Sequence, residues 1–389
     1  MMLESGVAHG EEELLALTRI QAWAFGVDAA AAEVWLAKSG HENVRVARRH
    51  GQTVGGLIEI PMGQWFGGRS VPMLGIAGVG VAPEARGEGV ALALMLDTLR
   101  AARARGFAVS TLYPAAVALY RAAGYELAGS RFKHTAPLRA LPIVRGDLRV
   151  VPLEPDAAGA VEALYLTIAA EHPGYLDRGP YVWRRVRQNR QGEAYPAFGV
   201  FGSRGLEGYV YLSQRGPQEQ LDLQVHDFVA TSGPVALRLL ALLADHRSTM
   251  KSLVIAGAAP SPLLLAPTEL LFHTEVSETW MLRIVEPALA LSARGYPPIE
   301  LGVDLELTDR TLPENSGRYR LEVSGGRAQV SRGGSGAVAL DERALAALYT
   351  GFLSPTVLAR HAHLEGDATA LADLGVLFAG PPPSLSDFF

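Results

Sequence analysis

The sequence predicts a mixed α/β protein built from three successive segments, residues 1–140, 141–282 and 283–389. The first two segments repeat one order of apolar strands and amphipathic helices, although their sequences differ. The third segment changes to alternating strands followed by short helices. A chain of 389 residues is also longer than one hydrophobic core usually supports, so we expect two or three domains.

The composition excludes several classes of protein. Apolar residues make up 49% of the chain and the net charge is only −5, so nothing favours binding to nucleic acid or to an anionic membrane. Because the chain contains no cysteine, disulfides, thiolate nucleophiles and cysteine-ligated metals are excluded. Its start lacks the basic and then apolar pattern of a secretory signal, and no uncharged run reaches the roughly 18 residues of a membrane span. We therefore expect a cytoplasmic protein with no membrane or nucleic-acid partner.

Helices and strands alternate in the first segment. Residues 11–25 carry acids in the first turn and apolar side chains at helical spacing, which predicts an opening helix. Residues 73–83 form an apolar run typical of a buried strand, and an apolar stripe over 90–99 predicts the helix that follows. Further strands are expected at 43–48, 53–60, 107–114 and 126–135, with a short helix at 115–125.

A linker at 138–147 separates the first segment from the second. The second segment begins with a strand and a helix over 148–172 and continues as strand, helix and strand over 221–257. The third segment is predicted to open with a helix at 280–297 that ends at glycine and proline. After it we expect strands at 299–307, 317–326 and 327–332, then helices at 341–352, 355–363 and 368–378.

The turn Arg86-Gly87-Glu88-Gly89 joins a strand to a helix in the first segment. Free N–H groups at the positive end of a helix bind phosphate, and small residues let a pyrophosphate reach the backbone. The sequence is neither a P-loop, which needs Gly-Lys-Ser/Thr, nor a G-x-G-x-x-G dinucleotide fingerprint. Taken alone, the pattern fits a phosphate site and an ordinary flexible turn equally well.

Residues 79–91, V-x-V-x-P-x-x-R-G-x-G-V-A, resemble the coenzyme A pyrophosphate loop of the GCN5-related N-acetyltransferase superfamily. Its Arg/Gln-x-x-Gly-x-Gly/Ala pattern is filled by Arg86, Gly89 and Ala91. A second match is YRAAGYE at 120–126, which is similar to the Y-x-x-x-G-(F/Y) run of that superfamily.

The resemblance extends over the whole chain. An acetyltransferase domain, a degenerate second copy without the phosphate loop, a C-terminal domain similar to sterol carrier protein and a terminal aromatic residue together resemble the enhanced intracellular survival family of aminoglycoside and amine acetyltransferases. The turn ATSGPVAL of the second copy lacks the arginine and the paired glycines, so we expect one acetyl-CoA site per chain. Further matches are ARGY at 293–296, LEVSGGRAQV at 321–330, LAALYTG at 345–351 and the ending DFF.

This resemblance implies acetyl-CoA as cofactor, direct transfer to an amine in a ternary complex, and hexamers. It also implies Tyr125 as the general acid that protonates the coenzyme A sulfur, and the C-terminal carboxylate of Phe389 as the general base. Burying the two terminal phenylalanines would be worth about 1.5–3 kcal/mol each, which favours a docked tail over a frayed one. The backbone around Val79–Val81 would meet the oxyanion, and the residues expected at the cofactor are Val79, Gly80, Val81, Arg86, Gly87, Glu88, Gly89, Val90, Ala91, Leu92, Tyr120 and Arg121.

The acceptor is expected to be a small polycationic amine, aminoglycoside-like or polyamine-like, which requires carboxylates and aromatic walls. Candidate residues are Asp28, Trp35, Trp65, Phe66 and, at the tail, Asp387. Each also has a simpler interpretation: for Asp28 we favour a helix N-cap, whereas the aromatic residues could be core or loop packing. Gly78 stands where family members carry an apolar or acidic residue, which could enlarge the pocket.

Two other functions fit the sequence. The third segment could carry an apolar ligand while the first senses acetyl-CoA, or the acceptors could be protein lysines or peptide N-termini. The ten histidines include no HExxH motif, and His361 and His363 would point to different faces of a helix, so no metal site is expected.

Overall fold

The computed structural model describes residues 3–217, 220–258 and 262–389. In the first segment the helices begin and end where local signals place them: the opening helix has Glu11, Glu12 and Glu13 in its first turn and stops at Gly26, which has a φ of 62°. The elements of this segment are β1 (Glu4–Val7), α1 (Gly10–Phe25), α2 (Ala29–Ser39), β2 (Val44–Arg49), β3 (Gln52–Phe66), β4 (Arg69–Val81), α3 (Val90–Ala104), β5 (Val109–Leu112), α4 (Val117–Ala122) and β6 (Glu126–Pro137).

The second segment repeats the strand and helix order of the first. Its α7 begins with a Ser232 N-cap whose hydroxyl accepts the N–H of Val235, so the turn is closed by its own side chain. The elements are β7 (Arg149–Pro152), α5 (Ala158–Ala169), β8 (Leu176–Asp177), α6 (Pro180–Arg187), β9 (Ala197–Gly202), β10 (Gly205–Arg215), β11 (Asp222–Ala230), α7 (Gly233–Ala244), β12 (Ser252–Gly257), α8 (Pro262–Leu265) and β13 (His273–Ile284).

The third segment forms a separate five-stranded sheet in the order β16-β15-β14-β17-β18. Its strands alternate buried and exposed side chains, because one face of the sheet packs on the core. The elements are α9 (Pro287–Ala293), β14 (Leu301–Thr308), β15 (Gly317–Ser324), β16 (Arg327–Arg332), β17 (Val338–Asp341), α10 (Glu342–Thr350), α11 (Pro355–Arg360), β18 (Leu364–Gly366) and α12 (Ala368–Leu377).

The predicted helix at 280–297 is wrong in its first part. Trp280 to Ile284 belong to β13, and the helix covers only Pro287–Ala293. The apolar run fits a buried strand as well as a buried helix, and periodicity alone does not separate the two. Pro287 then marks the true helix start, since proline is favoured in the first turn.

The first two segments share one large sheet, and they exchange strands within it. The sheet runs β1-β2-β3-β4-β5-β13-β6-β12-β11-β10-β9-β7, with β8 paired to β3. Strand β13 of the second segment therefore lies between β5 and β6 of the first, with Met281 opposite Leu112 and Leu282 opposite Glu126. Strand β6 in turn pairs with β12. Neither segment completes its part of the sheet without the other.

One of the two expected segment boundaries falls outside the strands of this sheet, and the other falls inside a strand. The boundary at 140/141 falls at the end of a 3-10 turn, Leu138–Ala140, which follows β6. The boundary at 282/283 falls inside β13, two residues before the strand ends. Across the described ranges, none of the helices combines the length and the apolar character that a membrane span requires.

The strand exchange predicts that the first segment does not fold alone. A fragment ending at residue 145 lacks β13, so the facing edges of β5 and β6 lose the strand that pairs with both. We expect fragment 1–145 to show no cooperative thermal transition by far-UV circular dichroism, and an equimolar mixture with 146–389 to regain one on refolding. A cooperative transition for 1–145 alone would show that the exchanged strand is not required.

Candidate active site

The cleft of the first segment lies where β4 and β5 diverge. The two parallel strands pair only from Met73 opposite Val109 to Gly75 opposite Thr111, and beyond Gly75 strand β4 keeps β3 as its neighbour. The edge of β4 that faces away from β3 is therefore open over its last six residues.

One N–H group at the end of β4 points into this opening. The N–H of Ala82 donates to the carbonyl of Val54 in β3 over 2.9 Å. Because successive peptide groups alternate along a strand, the N–H of Val81 faces the opposite, open side. The carbonyl of Val81 accepts a hydrogen bond from Arg86 Nε over 3.2 Å on that side. Val79 lies in the bulge between β3 and β4, where this alternation is interrupted.

The glycine turn after β4 has the geometry of an anion cradle. Gly87 and Gly89 have φ values of 77° and 79°, and a Cβ at either position would meet nothing within 4 Å. In the part of the chain that the structure describes, no side chain caps α3, so its first N–H groups are free for a ligand. Glu88 forms an ion pair of 2.5 Å with Arg49 instead of extending across the turn.

The predicted cofactor residues around the turn differ in how far they are buried. Val90 is buried beneath the turn, so only its backbone is available to a ligand. Ala91 and Leu92 are half-buried in the first turn of α3, and Gly80 is buried within β4 against α1. The predicted cofactor residues are thus brought together, but several would act through their backbone.

The hydroxyl of Tyr125 is committed to a buried hydrogen-bond chain. Tyr125 is fully buried, and its hydroxyl lies 2.8 Å from Ser110 Oγ. Ser110 uses its single proton to donate to the carbonyl of Leu74 over 2.7 Å, so Tyr125 must be the donor to Ser110. Burial raises the pKa of Tyr125 well above its usual value. This proton is therefore held in a hydrogen bond to Ser110.

Tyr120 has the opposite arrangement. It lies on α4 with its ring 6.2 Å from that of Tyr125, and its hydroxyl has no hydrogen-bond partner among the described residues. Burial raises the pKa of Tyr120 to about 12, so it carries its proton at neutral pH. Arg121 beside it is bound to Glu126 over 2.7 Å. Of the two tyrosines, Tyr120 therefore has the hydroxyl that is free to reach a ligand.

The C-terminal tail follows β6 into the cleft. The N–H of Ser130 in β6 donates to the carbonyl of Pro383, and its carbonyl accepts the N–H of Leu385, each over 3.2 Å. The N–H of Ser384 donates to the carbonyl of Pro173 over 2.9 Å. These backbone hydrogen bonds hold the tail against β6 through one parallel β-bridge between Ser130 and Ser384.

The terminal residue reaches the point where β4 and β5 separate. Phe389 is 6% exposed, and its ring lies 5.8 Å from that of Tyr113. A Cβ at Gly75 would lie 2.8 Å from Phe389 Cε2, so glycine at this position leaves room for the ring. Phe388 stacks on Tyr113 at 4.7 Å but remains 46% exposed, so only one of the two rings is buried as expected.

The two carboxylates of the tail differ in their partners. Asp387 is buried and is bound by Arg178, with Nε donating over 3.0 Å and Nη2 lying 2.8 Å away. The carboxylate of Phe389 forms no ion pair with any described residue. Asp387 is thus occupied within the protein, whereas the terminal carboxylate is free.

The proposed acceptor residues do not all line one pocket. The Asp28 carboxylate caps α2 by accepting the N–H of Ala31 over 2.6 Å, as the simpler interpretation expects. Phe66 is buried and its ring packs against that of Tyr349 in the third segment, so it cannot line a pocket for a ligand. Trp65 is half-buried in a core cluster of the second segment.

Trp35 belongs to an aromatic group that sequence alone did not indicate. Its Nε1 donates to the Tyr181 hydroxyl over 2.9 Å, and its ring meets Phe25 edge-on at 5.5 Å. Trp23, 72% exposed, lies on the same helix as Phe25. The exposed apolar residues in α1 could have been noticed in the sequence, but no sequence signal links Trp35 to a tyrosine 146 residues away.

The expectation that Gly78 enlarges the pocket is wrong. Gly78 has a φ of 60° at a bulge between β3 and β4, which explains the glycine. Gln21 Nε2 donates to its carbonyl over 2.9 Å, and a Cβ there would lie 3.1 Å from the Trp35 ring. The space is filled by these side chains. Within the described ranges, no three or more acidic or histidine side chains are grouped so as to hold a metal ion.

Comparisons with known proteins agree with this arrangement of domains. Models of the acetyltransferase (GNAT) domain match residues 8–128 and 174–284, and a model of the sterol carrier protein domain matches 287–386. A GCN5-related N-acetyltransferase from Anabaena variabilis is 34% identical with a TM-score of 0.94, and all of both chains is covered. One from Kribbella flavida is 28% identical with a TM-score of 0.87, covering 100% of this chain and 98% of that one. N-acetyltransferase Eis of Mycobacterium tuberculosis is 26% identical over 82% of this chain and 81% of its own.

The glycine cradle predicts a binding defect for Gly89→Ala. The added methyl would enter the open space before α3, and the positive φ adds strain of about 1–2 kcal/mol. We expect the Kd for acetyl-CoA to rise at least tenfold by isothermal titration calorimetry. Gly106→Ala is the matched control, because Gly106 lies beyond the other end of α3 with a φ of 82° and also has nothing within 4 Å. Equal Kd values for the two variants would contradict the site.

Proposed function

Because the chain belongs to the GCN5-related N-acetyltransferase family, in the tandem arrangement of the enhanced intracellular survival proteins, we propose that it acetylates amines of small polycationic molecules. The enzyme class is N-acetyltransferase and the cofactor is acetyl-CoA, which when bound supplies an activated thioester carbonyl. The acceptor class and the residue roles below are our proposal. The observation that carries it is that Phe389, whose carboxylate has no ion pair among the described residues, places its ring beside Gly75 at the fork of β4 and β5.

The residues of the cleft fit the cofactor. The uncapped start of α3 and the open space outside Gly87 and Gly89 suit a pyrophosphate, and Arg86 adds positive charge beside them. The N–H of Val81 on the open side of β4 suits an amide carbonyl of the pantetheine arm or the oxygen that becomes negative during acyl transfer.

The Phe389 carboxylate acts as the general base in this proposal. An alkyl amine has a pKa near 10.4, so at neutral pH it is almost entirely protonated and cannot attack a carbonyl. Both oxygens of the Asp387 carboxylate already lie within 3.0 Å of Arg178 nitrogens. The terminal carboxylate has no such partner and can accept the proton directly or through a water molecule.

Tyr120, and not Tyr125, is the proton donor that we propose for the leaving thiolate. Tyr120 would give its proton to the coenzyme A sulfur as the bond between that sulfur and the acyl carbon breaks, and the electron pair of that bond stays on the sulfur. Because a free thiol has a pKa near 8.5, below that of Tyr120, the tyrosinate is then reprotonated from solvent. The Tyr120 hydroxyl keeps its proton and has no competing acceptor among the described residues. This replaces the role that the sequence resemblance assigned to Tyr125.

The acceptor side of the proposal rests on charge and aromatic surface. The unpaired carboxylate would attract an ammonium group, and the rings of Phe25, Trp35 and the exposed Trp23 offer cation–π surfaces. Cytoplasmic location, hexamer formation and a single acetyl-CoA site per chain stay predictions from the family resemblance.

A C-terminal extension tests the base. We would measure thiol release from acetyl-CoA with aminoglycosides, polyamines and lysine peptides, using the intact chain and a chain with one glycine added after Phe389. The added residue displaces the carboxylate from the fork, so we expect kcat to fall about 100-fold, as for other losses of a positioned base. A glycine added before Met1 is the control. Full activity of the C-terminal extension would contradict the base, and turnover of lysine peptides alone would contradict the acceptor class.

The two tyrosines predict opposite phenotypes for one chemical change. We expect Tyr120→Phe to lower kcat about 100-fold without changing thermal stability, since its hydroxyl holds no hydrogen bond. Tyr125→Phe should lose about 1 kcal/mol of stability with the Ser110 hydrogen bond and keep most of its activity. The pKa of about 12 for Tyr120 also predicts no alkaline decline of kcat below pH 11. The reverse pattern would return the acid role to Tyr125.

A further inference from the structure

A buried arginine of the second segment holds the tail of the third. Arg178 lies between β8 and α6, and its side chain is fully buried. It binds Asp387 as described above, and on its other side Nη1 donates to Asp227 Oδ2 in β11 over 2.6 Å. One guanidinium therefore joins a strand of the second segment to a residue two positions before the C-terminus.

The guanidinium is held in a built site. Its Cζ lies 3.7 Å from the ring centroid of Tyr165 and 4.8 Å from that of Trp183. The Tyr209 hydroxyl donates to Asp227 Oδ2 over 2.7 Å, which fixes that carboxylate from its other side. Such surroundings leave the arginine one orientation, with a carboxylate on each side.

Two carboxylates share one guanidinium in this site, and burial raises the pKa of Asp387. One cation faces two carboxylates, although Arg178 and Asp227 alone would already form a neutral buried pair. A second buried carboxylate adds desolvation cost, so stability alone gives no reason for it. Asp387 is also held by its backbone, because the Tyr113 hydroxyl donates to its carbonyl over 2.6 Å. These contacts orient the tail at a point about 7 Å or less from Phe389.

We propose that Arg178 is a positioning residue that holds Asp387, and through it the Phe389 carboxylate, at the fork of β4 and β5. This inference rests on the proposed function, in which that carboxylate is the base. In the second segment, the turn before α7 is capped by the Ser232 side chain. Through Arg178, this segment nevertheless contributes to the active site of the first. The anchor is firm because β8 pairs with β3, with Asp177 opposite Gly63.

Two matched variants test the inference. Asp387→Asn and Asp227→Asn each remove one negative charge and leave Arg178 with one carboxylate. Only Asp387→Asn weakens the link to the tail, because the amide keeps one acceptor oxygen but loses the charge and the second acceptor. Removing Arg178 itself is less informative, because it would leave two carboxylates buried without a cation.

The first readout does not depend on catalysis. Carboxypeptidase A releases aromatic residues from accessible C-termini, so the rate of phenylalanine release reports how firmly the tail is docked. We expect Asp387→Asn to release Phe389 about 10- to 100-fold faster than Asp227→Asn, as the loss of a charged hydrogen bond predicts. Equal release rates for the two variants would overturn the inference.

The second readout separates this inference from the proposed function. In the acetyl-transfer assay we expect kcat of Asp387→Asn to fall about tenfold with KM for acetyl-CoA unchanged, and Asp227→Asn to stay within about twofold of the intact chain. Faster release of Phe389 with unchanged kcat would support the arginine anchor and refute the carboxylate as base. If Asp387→Asn fails to fold, Arg178→Lys provides the test. A lysine cannot bind both carboxylates in a bidentate manner, so we expect faster release of Phe389 from this variant. Release at the rate of the intact chain would overturn the inference.

Discussion

The relative position of the three segments depends on the pairing of β6 with β13. Each strand completes the part of the sheet that begins in the other segment, so the two segments are joined by backbone hydrogen bonds through the interior. The chain leaves β13 directly into the third segment, where the N–H groups of Val285 and Glu286 both donate to the carbonyl of Ala108 beside β5. Arg283 in β13 forms a buried ion pair of 2.6 Å with Asp309 of the third segment. The third segment is therefore fixed next to the cleft, and its last residues can return along β6.

Two carboxylates only two residues apart have opposite electrostatic surroundings. Asp387 is fully enclosed and shares Arg178 with Asp227, whereas the carboxylate of Phe389 has no cation among the described residues. A buried, paired carboxylate is held in place, whereas a carboxylate without a cation partner can accept a proton more readily. The same division separates the tyrosines, since Tyr125 is bound in the sheet and Tyr120 is not. In both pairs the structural residue lies beside the residue that we assign to the chemistry.

Sequence reasoning succeeded where a signal is local and failed where a role depends on distant partners. The turn at 86–89 could be predicted, because two glycines directly before a helix that no described side chain caps indicate positive φ angles and free N–H groups. The hydrogen-bond partner of Tyr125 could not be predicted, because it depends on Ser110 and on which way that hydroxyl donates. The prediction of a helix at 280–284 was wrong, because an apolar run does not indicate that the segment pairs with β5 on one side and β6 on the other. Arg178 lies 209 residues from Asp387, and nothing in its own neighbourhood marks it.

The docked tail is marginal without its polar contacts. Ordering the backbone of residues 383–389 costs about 1–2 kcal/mol each, roughly 7–14 kcal/mol in all. Burying Leu385 and Phe389 returns about 1.5–3 kcal/mol for each side chain, which is less than this cost. Hydrogen bonds from β6, Pro173, Arg131 and Tyr113 add about 0.5–1.5 kcal/mol each, and the Arg178 contacts with Asp387 about 1.5–3 kcal/mol. Gains and costs are then of similar size, so a terminal aromatic alone would not keep the carboxylate in place. The Phe389 carboxylate is held in place only when contacts from the first and second segments are both formed, so the proposed active site depends on the whole chain.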